Sequence, residues 1–160
     1  MNSFSLADTK HIEAAEGWLE LGNFIEAVRE LDHLSKRSKA HPEALEVRWK
    51  IFSAGKLWNQ CLEVAEALTE AAPERAISWL YLARTLHALE DTETAYQTLL
   101  EVVSEFACDA EVLYQLACYA CLVGEEGDAR QWLDEALEVG GSELKKRARA
   151  NPELKALWQH

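Results

Sequence analysis

Residues 76–99 read AISWLYLARTLHALEDTETAYQTL. Trp79, Leu82, Ala83 and Leu86 fall three and four residues apart, the spacing of one face of an α-helix. Glu90-Asp91 interrupts that pattern with short polar residues that favour a helix end, and Ala95 and Leu99 then resume it. The stretch therefore predicts two amphipathic helices joined by a short break. A ruler of 34 positions laid outward from Ala95 lands on Cys61 and Ala27 upstream and on Ala129 downstream. Three residues before these stand Phe24, Trp58, Thr92 and Glu126, and four after stand Leu31, Ala65, Leu99 and Leu133. Further upstream the same ruler pairs Ala15 with Trp18, Trp49 with Phe52, Ala83 with Leu86 and Ala117 with Ala120. Small residues recur where paired helices would cross, because a large side chain there would hold the axes beyond about 8–10 Å.

The period divides the chain into repeats of about 8–41, 42–75, 76–109 and 110–143, followed by a capping tail, 144–160, all in a single domain. Helices are expected over roughly 5–21, 24–38, 42–54, 57–71, 74–89, 92–106, 109–122 and 126–138. Breaks are placed at Gly22-Asn23, Gly55-Lys56, Glu90-Asp91 and Gly124-Glu125, and Pro42 and Pro73 lie between repeats. Ser5 with Asp8 forms an N-terminal cap for the first helix. A hairpin of this kind cannot bury its apolar face alone, so the ends of a stack need covers. The tail supplies one: Gly140-Gly141 breaks the last helix, Ser142 caps a short one, and Asn151-Pro152 opens a segment carrying Leu154, Leu157 and Trp158.

Composition agrees with a folded helical chain. Hydrophobic residues make up 49% and charged residues 28% of 160 positions, which excludes a disordered polar tail. Three prolines and seven glycines are poor punctuation for an all-β fold. The formal charge of -12 argues against duplex nucleic acid or an anionic membrane as the partner. The amino terminus lacks the basic and apolar regions of an export signal, and no apolar run has membrane-spanning length. Four unevenly spaced cysteines do not make a disulfide framework, so a cytoplasmic location is expected.

The 34-residue helix-turn-helix period resembles the tetratricopeptide repeat. The likeness is carried by Trp79, Leu82, Ala83, Leu86 and Ala95 in the third repeat, by Leu113, Leu116, Ala117, Gly124 and Ala129 in the fourth, and by the closing Pro73 of the second. Trp49 stands where that family has a small residue, and Thr92 and Glu126 stand where it has an aromatic. The resemblance implies an all-α, right-handed α-solenoid of four helix hairpins with a C-terminal capping helix, the first helix of each pair lining a concave face. It does not extend to the carboxylate-clamp subtype, since neither Ile12, Glu16, Val47, Ile77 and Tyr81 nor Glu46, Lys50, Tyr81, Glu111 and Gln115 reproduces that set of cations and asparagines.

Catalytic patterns are weak. Cys118 and Cys121 form a C-x-x-C on one helix face, and His87 occupies the matching position one repeat earlier. Zinc generally takes four such ligands, and no second paired motif is present, so the cysteines read as small apolar residues and no metal or other cofactor is expected. No G-x-S-x-G or glycine-rich phosphate loop occurs. Most of the tryptophans fall on packing positions. The basic run Lys145-Lys146-Arg147-Ala148-Arg149 reads as a solvated helix end placed favourably for the helix dipole.

The functional expectation is a non-catalytic interaction scaffold that binds a peptide segment of a partner protein in a concave groove. The groove residues are Val47, Lys50, Tyr81, Arg84, His87, Tyr114, Gln115 and Cys118, whose mixture of apolar, aromatic and charged groups suits a peptide better than a uniform ion. Arg84 has no acid three or four residues away and is the expected anchor, unless an adjacent helix supplies its carboxylate. Between residues 85 and 144 stand 14 acids and one base, Arg130, either a solvated face or a dock for a basic partner. Self-association is compatible with this reading. The alternatives are a small secretion-type chaperone holding an extended client, and a metal-binding or redox protein using Cys118 and Cys121.

Overall fold

A computed structural model describes residues 4–159, and every regular element among them is helical. The helices are α1 (Leu6–Glu20), α2 (Phe24–Asp32), α3 (Lys36–Lys39), α4 (Pro42–Ala54), α5 (Trp58–Ala71), α6 (Ala76–Ala88), α7 (Thr92–Val102), α8 (Ala110–Val123) and α9 (Glu126–Ala150), followed by a 3-10 turn, Pro152–Trp158. The all-α expectation holds, and most helix starts lie within two residues of those predicted, while α2 and α7 end earlier than expected.

Burial follows the 34-residue ruler. Ala27, Cys61, Ala95 and Ala129 are all fully buried, and so are Ala15, Ala83 and Ala117 on the first helices. Trp49, at the second of those first-helix places, is buried by laying its ring on Tyr81, with centroids 3.8 Å apart and an interplanar angle of 10°. Cys61 tucks beneath the Trp49 carbonyl at 3.9 Å, and burial pushes its thiol up to about 11.

The turns obey the same period. Gly22, Lys56, Glu90 and Gly124 have φ of 73°, 55°, 67° and 91°, each 34 positions after the last. The N–H of each following residue donates five positions back, as in Asn23 to Trp18, Leu57 to Phe52, Asp91 to Leu86 and Glu125 to Ala120, at 2.8–3.0 Å. This is the Schellman closure, which satisfies the last carbonyls of a helix and needs one left-handed residue. The second turn puts that residue at Lys56, one place beyond the glycine that the sequence offers at Gly55. A side chain in the left-handed region is strained, so Lys56→Gly and Glu90→Gly should each stabilise by about 0.5–1 kcal/mol, whereas Gly124→Ala should cost a similar amount. Urea denaturation of the three variants checks this.

The chain divides into two compact units, residues 1–81 and 82–160, with the division falling inside α6. In the first unit α1 packs on α2 and α4 on α5, around Ala15, Ala27, Leu31, Leu34, Ala44, Val47 and Ile51. In the second, α8 packs on α7 and on α9, and the 3-10 turn lies against α8 and α9 with Leu154 and Leu157 buried. α9 is two helical segments: the axis breaks at Gly141 (φ 63°, ψ -153°), as the Gly140-Gly141 pair predicts, and a second segment continues to Ala150.

α2 departs from expectation. It stops at Asp32, and Ser35 caps a separate turn, α3, where one helix through residue 38 was predicted. The cause is distant in sequence. Buried Asp8 accepts hydrogen bonds from Ser38 Oγ (2.8 Å), Ser5 Oγ (2.9 Å) and the Ser35 N–H (3.2 Å), which fixes the loop against the start of α1. Those donors, led by Ser38, lower the Asp8 carboxyl below its ordinary 3.8. A group with a depressed folded-state pKa contributes stability that is present above the unfolded value and is lost as pH falls through the folded one. The melting-temperature gap between the native chain and Asp8→Asn should thus be widest near neutral pH and close below about pH 3.8. Melting curves across pH test it.

Candidate functional site

Within the second unit, polar side chains gather on the exposed sides of α6 and α8. Asp109 caps α8 by accepting from the Glu111 and Val112 N–H groups at 3.0 and 3.1 Å, which fixes Glu111 in the first turn. Glu111 accepts from two guanidiniums: Arg84 Nη2 at 2.7 Å on one oxygen and Arg147 Nη2 at 2.5 Å on the other. Arg147 also lies over the Tyr114 ring, 4.2 Å from its centroid. One turn on, Asn151 Nδ2 donates to Tyr114 Oη at 2.8 Å and approaches Cys118 Sγ at 3.3 Å. His87 Nδ1 shares a hydrogen with Thr92 Oγ1 at 2.8 Å, and its ring sits 5.2 Å from that of Tyr119.

The expected groove residues therefore differ in access. Lys50 is exposed, and Arg84, His87 and Gln115 are half-buried. Val47 belongs to the first unit's core, Tyr81 is buried under Trp49, and Tyr114 and Cys118 are buried beside Asn151. Arg84 has a carboxylate partner from the next first helix, Glu111, the outcome that was set against its role as a free anchor. Sequence reading assigned no site role to Glu111, Arg147 or Asn151. A signal existed: Arg147 and Asn151 stand 34 positions beyond Leu113 and Ala117, so the tail helix keeps the repeat register.

Burial pushes the Cys118 thiol up to about 12 and raises that of Cys121, so both are neutral thiols near pH 7 and poor nucleophiles. Among the described residues no three His, Cys, Asp or Glu side chains converge as metal ligands, and His87 does not join Cys118 and Cys121 in such a set. No described helix is long and apolar enough to cross a membrane.

By sequence, the chain matches no protein-family model and no curated protein. By structure it is similar to a crystal structure of MamA protein, with TM-score 0.76 at 16% identity over 96% of this chain and 81% of that one. It is also similar to YrrB, described as a TPR protein with an unusual peptide-binding site, with TM-score 0.69 at 16% identity over 92% of this chain and 74% of that one. The fold is that of a tetratricopeptide-repeat protein. A double mutant of MamA RS-1 gives the same likeness, with TM-score 0.72 at 17% identity over 90% and 78% of the two chains. In tetratricopeptide terms Glu111, Tyr114, Gln115 and Cys118 belong to the first helix of the fourth repeat.

Proposed function

We propose that this chain is a non-catalytic protein-interaction module that holds a peptide segment of a partner along its first helices. The observation that carries the reading is the tetratricopeptide fold itself, shared with YrrB, a TPR protein with an unusual peptide-binding site. Of the expected residues, the first unit offers exposed Lys50 with Val47 and Tyr81 buried, and the second offers half-buried Arg84, His87 and Gln115 with Tyr114 and Cys118 buried. Arg84 gives Glu111 one hydrogen bond, from Nη2 at 2.7 Å, and its side chain keeps about a third of its exposure, which leaves guanidinium donors for a partner. Four free thiols suit a reducing compartment such as the cytoplasm.

The test is capture of the native partner, mapping of the bound segment by crosslinking, and titration of that segment against variants. Arg84→Glu should weaken it by about 2 kcal/mol or more, the loss of an interface anchor, and the exposed Glu101→Lys should change little. Unchanged affinity in Arg84→Glu, with binding abolished in Glu101→Lys, would overturn the assignment.

A further inference from the structure

A second surface lies wholly in the first unit, on the side of α1 that carries Ala14, Gly17 and Leu21. These residues fall within one narrow stripe of the helix, and with Trp18 and Glu30 they line an open groove between α1 and α2. Leu21, which lines the groove, is 77% exposed, and Ile25, four residues on at the start of α2, is 68% exposed.

Gly17 sharpens the point. A glycine inside a helix costs roughly 1 kcal/mol relative to alanine, so its presence calls for a reason. Its own chain supplies none, because a methyl group there would meet nothing within 4 Å. The ruler places Ile51, Thr85 and Tyr119 at the equivalent positions of the later repeats, and all three are buried. In those repeats the position is a packed surface, and in the first it is bare. A small-residue stripe ending at exposed Leu21 admits a helix at close axial distance.

Charge selects the occupant. Glu13 and Glu20 flank the stripe along one edge with Glu16 beyond them, all exposed and none in an ion pair among the described residues, while exposed Lys10, one turn before Ala14, is the single lysine or arginine on the stripe and on α1. A second copy would set these carboxylates against one another in a chain of net charge -12. We infer that this groove receives an amphipathic helix with basic flanks from a partner protein. The inference is independent of the peptide site on the first helices, since it uses a different face and different residues.

The probe is a labelled synthetic peptide of about eighteen residues, five turns of helix, with leucines along one stripe and lysines elsewhere, against a scrambled peptide of the same composition. The full chain should bind the patterned peptide and not the scrambled one. Leu21→Glu with Ile25→Glu should weaken it about thirtyfold at an unchanged melting temperature, as expected for lost anchors. Gly17→Leu should raise the melting temperature while weakening binding, because it improves the helix and blocks close approach. Arg84→Glu should leave this affinity as it is, which separates failure here from failure of the peptide site. Equal binding of the scrambled peptide, or affinity indifferent to Leu21→Glu with Ile25→Glu, overturns the proposal. So does a dimer in sedimentation that those two substitutions abolish, which would make the occupant a second copy.

Discussion

Leu154→Ala is expected to destabilise the unit formed by residues 82–160 by about 2–5 kcal/mol, a large share of what a domain of this size possesses. Leu154 is fully buried in the 3-10 turn that lies against α8 and α9, so truncation removes packed methyl groups and leaves a cavity. The turn is also tied down by polar contacts: Arg130 Nη1 donates to the Leu157 carbonyl at 3.4 Å, and Trp158 Nε1 to the Ala148 carbonyl at 3.3 Å. Urea denaturation followed by tryptophan fluorescence reads the loss directly, since Trp158 sits in the affected segment. Deleting residues 143–160 should lower the melting temperature further, because it uncovers the apolar face of α8. An unchanged melting temperature would remove the capping role from the tail.

The opposite manipulation, filling rather than emptying, should be nearly as costly at Ala129. This residue lies on α9, fully buried, at the ruler position shared with Ala27, Cys61 and Ala95. Ala129→Leu adds three heavy atoms where α8 and α9 meet, and overpacking of this kind costs about 1–3 kcal/mol through displaced backbones and forced rotamers. The same substitution at exposed Ala156 should cost almost nothing, so paired melting curves isolate the effect of the crossing from that of leucine itself. Equal stability of the two variants would mean that the small residue is not required by helix approach.

Legibility was greatest where a rule is local and repeated. The helix periods, the buried alanines and the four breaks all follow from spacing, since each repeat solves the same packing problem with the same geometry. Lys56 shows the limit of local rules. Gly55 offers the conformational freedom, but the Schellman bonds from Lys56 and Leu57 place the left-handed residue one step later, and the backbone follows the hydrogen bonds. α3 shows it again: the stretch 33–39 contains no proline or glycine, yet the helix ends because Asp8, some 27 to 30 positions away, claims Ser35 and Ser38.

The site was legible as a set of positions but not as a set of partners. Arg84 was identified from its missing local acid, and the structure supplies Glu111 from 27 positions on, shared with Arg147 from 36 further. The sequence by itself determined the repeat length, the helical class, the small residues at the crossings and the acidic surface, because these depend on intervals within a helix and on summed charge. Only the tertiary structure decided which cations meet Glu111, that Asn151 closes over Tyr114 and Cys118, that Trp49 is accommodated by stacking on Tyr81, and that Gly17, Leu21 and Ile25 are left uncovered. Those facts depend on which helix faces approach one another, and the pairing of faces is set by three-dimensional packing that no interval along the chain encodes.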